Sequence, residues 1–353
     1  MASRSLVTGV AGFIGSHVAA QLVAMGHDVT GIDNFTGGFP DNLPEGVRFI
    51  RADCEDAATI DRIFAEGRFD TVFHLAAYAA EGLSHFIRIY NYRTNILGAS
   101  SLINASVMHG VRRFVFTSSI AVYGQGTPPY REDQHPAPED PYGIAKFAVE
   151  MDLRAAHDLF GLEYTIFRPH NVYGERQNYS DAYRNVVCIF LSQALAGRPM
   201  TIFGDGSQTR AFSYIGDVAP VLARAGTAPE AANAIFNIGA GTPVRVGDLA
   251  QLIARALGIE PQIDLLPPRR EVLHAISDIS KAVATFGLDP ARFIGVEEGI
   301  ARMVEWIRRC PPREPLVFRS VEVNRNLPAG WNRADLKRTP VAEGGPPSVG
   351  VGD

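Results

Sequence analysis

Residues 5–15 read Ser5-Leu6-Val7-Thr8-Gly9-Val10-Ala11-Gly12-Phe13-Ile14-Gly15, and this stretch decides the fold. An apolar strand runs straight into a turn with a glycine at every third position, and the turn opens a helix. Glycine lets the backbone turn tightly and come close to a pyrophosphate, whose charge then meets the N-terminus of the helix. Gly9, Gly12, Phe13 and Ile14 are the residues expected against a dinucleotide. The spacing is GxxGxxG rather than GxGxxG, so the strand-turn-helix setting is what separates a phosphate cradle from a turn made for packing alone.

Outward from this turn, a second strand is predicted over His27–Ile32 and ends at Asp33. A carboxylate there accepts hydrogen bonds from the adenosine ribose and repels a 2′-phosphate. Asn34, Phe35 and Thr36 follow with no arginine among them, so NAD is favoured over NADP. Asp53 and Cys54 follow the third strand and are placed near adenine. His74-Leu75-Ala76-Ala77 puts small residues at the end of the fourth strand, where cofactors lie in open α/β sheets; Leu75, Ala76 and Ala77 are assigned to the cofactor.

The remaining pattern alternates in the same way. Strands are expected at Val47–Arg51, Thr71–Leu75, Arg113–Ser118 and Tyr164–Arg168, with helices near 56–66, 89–109 and 141–160. This is an α/β chain with a Rossmann-type doubly wound parallel sheet over 1–170, rejoined by about 211–240 through a strand at Ala234–Gly239. Residues 171–210 and 241–310, with helices near 183–196, 247–257 and 296–309, form a smaller mixed α/β substrate domain. A C-terminal extension covers 311–340, in which Phe318 and Trp331 are expected to dock on the body. Residues 341–353 have almost no large apolar side chain and are expected to be disordered.

Bulk properties narrow the class. The chain has 353 residues, 46% hydrophobic and 20% charged, with a net charge of −5, as in ordinary soluble globular proteins. Its lysines and arginines are scattered, which leaves no footprint for a nucleic-acid partner. Cys54, Cys188 and Cys310 lack CxxC spacing and read as free thiols in a reducing compartment. No apolar run reaches the length of a membrane span and no signal segment opens the chain, so a cytoplasmic protein with no membrane partner is expected. No metal-ligand constellation stands out.

The second constellation is Tyr142-Gly143-Ile144-Ala145-Lys146, preceded by Ser118 and Ser119 at a strand end. Tyr and Lys at i and i+4 share a helix face. A phenol has a pKa of about 10 when free, and a nearby ammonium favours its ionised form. Tyr142 is then a general base, with Lys146 and Ser119 beside it.

With these residues in hand, the sequence resembles the extended short-chain dehydrogenases and reductases that act on nucleotide sugars. TGVAGFIG, HLAA, Asn95 in YRTNILG, FTSSIAVYG, YGIAK and RPHNVYG match in order, over about residues 5–310. The resemblance implies NAD as cofactor and a UDP-sugar as substrate. It adds Asn95, Thr117 and His170 to the cofactor residues. On the substrate side it implies Asn171 facing the sugar with Glu81 and Arg184 as lesser candidates, and Asn185 near the diphosphate. Thr201 and Phe203, in the segment Ala196–Gly204, would pass the uracil ring. Arg210 would bind the diphosphate, as arginine's planar fork suits phosphate. Arg269 is the second candidate for it, although the family's arginine stands three residues before an acidic residue and a valine, whereas Arg269-Arg270 directly precede Glu271-Val272. Relatives pair through helices equivalent to 89–109 and 141–160, which implies a homodimer.

The family divides by what stands beside the catalytic Ser. Its 4,6-dehydratases carry an Asp-Glu pair there; this chain has Ile120 and Ala121. UDP-glucuronate decarboxylases carry a Glu and an Arg where this chain has Ala121 and Phe147. Epimerases that also invert C3 or C5 use a Cys, and none lies between 54 and 188. The resemblance therefore implies a 4-epimerase acting on UDP-glucose and UDP-galactose, or on UDP-glucuronate and UDP-galacturonate, with N-acetylhexosamine substrates sharing the pattern. Ala275 implies room for a larger C2 or C6 substituent. A nucleotide-sugar dehydrogenase, reductase or dehydratase and a noncatalytic NAD-binding protein are the alternatives.

Overall fold

A computed structural model describes residues 2–181, 183, 185–268, 274–310, 316–318, 320–328, 337–338 and 349–351. Seven strands form the centre: β1 (Arg4–Thr8), β2 (Asp28–Asp33), β3 (Val47–Arg51), β4 (Thr71–His74), β5 (Arg113–Thr117), β6 (Glu163–Pro169) and β7 (Ala234–Ile238). They lie in the order β7-β6-β5-β4-β1-β2-β3, and every pairing is parallel. Successive residues point to opposite faces of a strand. Leu6, Phe114, Ile166 and Ile235 accordingly enter one apolar cluster, while Val7, Val115, Phe167 and Phe236 enter another. A sheet covered on both faces needs such continuous apolar strands.

Helices follow from their ends. Asp140 caps the helix Pro141–Phe160 by accepting from the Gly143 amide at 2.9 Å, Pro141 occupies the first turn, and Gly161 closes it with φ +75°. A capping acid, a first-turn proline and a left-handed glycine are the residue types these positions favour. Asp56 caps Ala57–Gly67 in the same way.

The helix expected over 89–109 is one helical run in three parts, Arg88–Tyr92, a π segment Arg93–Leu97 and Gly98–Met108. Two asparagines mark the irregular stretch: Asn95 Nδ2 donates to Asn91 Oδ1 at 2.9 Å, and Asn91 Nδ2 donates to the Pro141 carbonyl at 2.8 Å. The helix expected from 183 starts at Val186, because Asn185 takes the capping position and accepts from the Cys188 amide.

The second half of the chain adds small sheets. Met200–Phe203 pairs with Ile263–Leu266, and Thr209–Ala211 pairs with Pro243–Arg245 and His274–Ala275. In the stretch expected to be disordered, Val349–Val351 pairs antiparallel with Leu316–Phe318; residues 341–348 and Trp331 lie outside the described residues. Among the described residues no helix is long and apolar enough to cross a membrane.

Candidate active site

Sheet topology puts the site at one place. The chain runs outward from β1 to β3 and then returns to β4 on the other side of β1, so a crevice opens at the carboxyl ends of β1 and β4. Thr8 seals its base. Its hydroxyl oxygen accepts from the Leu75 and Ala76 amides, each at 3.1 Å, and its proton is then left for His74 Nδ1 at 2.9 Å. Burial drives the His74 pKa down to about 3, so the ring is neutral.

The three turn glycines do different work. Gly9 has φ +69°, and a Cβ there would stand 2.8 Å from the Ala76 backbone; a Cβ at Gly15 would overlap the Gly9 carbonyl oxygen. A Cβ at Gly12 meets that carbonyl oxygen at 3.0 Å, tight but short of overlap, and all three glycines border the cavity. The helix Phe13–Ala24 has no side-chain cap and no acidic residue in its first turn, which suits a pyrophosphate in that place. Asp33 holds the cradle through its Oδ2, which accepts from the Ala11 amide at 3.0 Å, while Oδ1 accepts from Phe35 at 2.7 Å. Burial raises its pKa. Asn34 Nδ2 donates to Asp53 Oδ2 at 2.9 Å. The Cys54 thiol is pushed up to about 12 by burial and by Asp53.

One continuous cavity of about 1570 Å³ connects the expected groups, larger than the pocket of a single drug-sized ligand. It is lined by Gly9, Gly12, Phe13, Ile14, Asp33, Asn34, Asp53, Cys54, Leu75, Ala76, Ala77, Thr117, Tyr142 and Lys146 on one side. Glu81, Ser119, Asn171, Asn185, Thr201, Phe203, Arg210 and Ala275 line the rest. Arg184 and Arg269 lie outside the described residues.

Two residues expected at the cofactor, Asn95 and His170, are buried just behind the residues that line the cavity. Asn95 is buried and donates to Asn91 and to the carbonyl of Tyr78, which does line the cavity. His170 is buried with Nε2 on the Ala240 carbonyl at 3.1 Å, and burial lowers its pKa to about 4. Their neighbours Tyr78, Pro169 and Asn171 carry the surface.

At the chemical centre, Lys146 is buried, its Nζ donates to the Thr117 carbonyl at 2.9 Å and sits 5.8 Å from the centroid of the Tyr142 ring. Burial pushes the ammonium down to about 7, against an opposing pull from Glu150. The Ser119 hydroxyl accepts from the Ala121 amide at 3.1 Å, which leaves its O–H to donate in the cavity it borders. Tyr142 and Ser119 are both buried, each only 7% exposed, and both border the cavity.

Sequence reasoning missed the layer beneath. Glu150, fully buried, accepts from the Ser118 hydroxyl at 2.5 Å and from Arg168 through Nε at 3.0 Å and Nη2 at 2.6 Å. Arg168 also lies 4.7 Å over the Tyr123 ring, and Tyr123 donates to Asn237 Oδ1 at 2.8 Å. This network ties the Pro141–Phe160 helix, β6 and β7 to the loop that carries Ser119. Its sequence signals were a carboxylate one turn beyond Lys146 and a lone arginine closing an apolar strand.

The whole arrangement has known counterparts. A family model for the NAD-dependent epimerase/dehydratase family matches residues 5–239. The chain belongs to that family. It is similar to a UDP-glucose 4-epimerase of Mycolicibacterium smegmatis, 36% identical over 316 residues, covering 86% of this chain and 98% of the relative. In structure it is similar to a UDP-glucose 4-epimerase of Thermotoga maritima solved with UDP-glucose, at TM-score 0.80 and 37% identity, covering 86% of this chain and 98% of the other. It is also similar to a UDP-glucuronic acid 4-epimerase of Bacillus cereus solved with UDP-glucuronic acid and NAD, at TM-score 0.78 and 29% identity over 86% of this chain and 99% of the other. As a member of this NAD-dependent family the protein is an enzyme whose cofactor is NAD, and the glycine cradle and Asp33 fit that dinucleotide.

Proposed function

We propose that the protein inverts C4 of a UDP-hexose through a transient 4-keto sugar, acting on UDP-glucose and UDP-galactose or on UDP-glucuronate and UDP-galacturonate. The observation that carries this reading is the company kept by the catalytic trio. Ser119, Tyr142 and Lys146 border one cavity with the NAD cradle and Arg210, and the side chains following Ser119 are Ile120 and Ala121, which bring no acid or base. The similarity to relatives named as 4-epimerases supports the same conclusion.

When bound, NAD supplies the hydride acceptor and returns the hydride. Tyr142 removes the proton from the C4 hydroxyl, and Ser119 donates a hydrogen bond to the same oxygen. Lys146, when charged, favours the Tyr142 phenolate. Arg210 and Asn185 hold the diphosphate. Thr201, fixed by Gln193 through two hydrogen bonds of 2.8 and 3.0 Å, passes the uracil with Phe203. Binding energy from this remote half retains the keto sugar while it turns its other face to Asn171. On the return, Tyr142 gives its proton back to the C4 oxygen.

Incubation with UDP-glucose, UDP-glucuronate and UDP-N-acetylglucosamine, followed by separation of the sugars, tests the reading. A C4 epimer formed without added cofactor is expected. A dehydrated or decarboxylated sugar, or product formed only with stoichiometric reduced cofactor, would overturn it.

We further infer a homodimer formed by the Arg88–Met108 and Pro141–Phe160 helices, which pack side by side and leave Leu97, Ile144 and Met151 exposed. The three free thiols fit a cytoplasmic setting.

A further inference from the structure

Beyond the last long helix of the body, Val296–Arg309, the chain doubles back to the cavity. Val321 is fully buried among Tyr78, Leu83, Ile87 and Tyr90. The backbone amides of Glu322 and Val323 donate to the Phe86 carbonyl at 2.8 and 3.2 Å. The Glu322 carboxylate accepts from two more amides, Ile89 at 2.7 Å on Oε2 and Tyr90 at 2.9 Å on Oε1.

Those two amides open the helical run Arg88–Met108, whose first residue is preceded by Ile87, a residue with no side-chain cap to offer. Opening amides of a helix lack partners within it. Here a carboxylate from more than 230 positions later in the chain supplies both, and a charged acceptor at that end is the strongest kind.

The pinned segment is cavity wall. Glu81, His85 and Phe86 line the cavity, and Asn91 reaches the carbonyl of Pro141, the residue before Tyr142. Glu81 borders the same cavity as Asn171 and Arg210, the residues assigned above to the sugar and its diphosphate, so this wall belongs to the substrate side. Farther along the same strap, Leu327 is buried and Pro328 itself lines the cavity.

We propose that Val321–Pro328 is a specificity-determining strap: Glu322 clamps the wall Glu81–Tyr92 beside the sugar, and Pro328 completes that wall, so the strap sets how much bulk the sugar carries. The proposal rests on the UDP-sugar reading above. Without the clamp the wall relaxes outward and sugars with larger substituents are admitted at the expense of tight binding of smaller ones.

Point variants of the full chain test it. Glu322→Ala is expected to raise KM for UDP-glucose about tenfold, the loss of hydrogen bonds to a charged group, with a smaller fall in kcat. The same variant shifts the kcat/KM ratio toward UDP-N-acetylglucosamine, and Glu322→Gln, which keeps an acceptor, recovers part of both effects. Pro328→Gly is expected to move the ratio in the same direction without changing hydrogen exchange at Ile89 and Tyr90, whereas Glu322→Ala accelerates that exchange. A ratio unmoved in both variants overturns the proposal, even if Glu322→Ala lowers the melting temperature. If the unaltered chain turns over no UDP-sugar, the epimerase reading has failed. The clamp is then decided by exchange alone, and Ile89 and Tyr90 amides that stay protected in Glu322→Ala overturn it.

Discussion

Lys146 is held between two influences, a dry surrounding that disfavours its charge and Glu150 that favours it. Its folded pKa of about 7 lies below the unfolded value of 10.5, so the unfolded chain binds the extra proton between those limits. Lys146 therefore costs stability below about pH 7, and the cost is relieved as pH rises toward 10.5. Glu150→Gln removes the favouring charge, and the alkaline limb of kcat, where loss of the ammonium weakens the Tyr142 phenolate, is expected to move to lower pH. The same variant leaves Arg168 without its ion partner, at a cost of about 3–5 kcal/mol for a broken buried pair, measurable by urea unfolding. Tyr142→Phe is expected to lower kcat by about 10²- to 10⁴-fold, the range for general acid–base catalysis, while the purified protein still carries NAD. The Tyr-Lys pair was legible in the sequence because i and i+4 share a helix face. Glu150 and Arg168 were not, because their partnership joins a helix to a strand across 18 residues and no local spacing encodes it.

Among elements, the strand-turn-helix at Gly9–Gly15 was readable because a phosphate cradle places strict demands on each of its glycines. Those demands differ, and substitution separates them. Gly15→Ala drives a methyl into the Gly9 carbonyl, and a large fall in melting temperature is expected. Gly12→Ala brings a methyl to 3.0 Å from the same carbonyl oxygen, a tight contact that a smaller backbone shift relieves, so a smaller fall in melting temperature than for Gly15→Ala is expected, together with a loss of NAD content because Gly12 borders the cavity. The π segment Arg93–Leu97 was not readable, since no local spacing marks it; Asn91 and Asn95 beside and within it bond to carbonyls far along the chain. Asn95 and His170 are likewise held by packing: a motif fixes where a residue stands along the chain, and packing decides that their polar atoms meet Asn91, the Tyr78 carbonyl and the Ala240 carbonyl.

In the whole molecule, burial leaves His17, His74 and His170 with pKa values of about 4, 3 and 4, against 6.5 when exposed. The unfolded chain takes up more protons than the native state below 6.5, so the stability these rings allow is complete above that pH and is lost as pH falls toward 4. A melting temperature that declines steeply from pH 6.5 to 4 is the expected result, with 15N shifts showing all three rings still neutral at pH 5. The parallel sheet was legible as a whole, including the return of Ala234–Ile238 to its edge, since largely buried strands alternating with helices have few other solutions. Leu97→Glu with Met151→Glu is expected to halve the mass seen by sedimentation.

Glu322 also imposes a schedule. The amides of Ile89 and Tyr90 leave the ribosome 233 and 232 residues before the carboxylate that receives them, a lag of about 10–50 s at ordinary elongation speeds. During that lag the chain completes Ser119, Tyr142, Lys146 and the sheet behind the NAD cradle while the wall Glu81–Tyr92 still lacks its fastening. A nascent chain in this state is expected to retain dinucleotide before it retains sugar, so the emergence of Glu322 becomes the event that fastens the pocket.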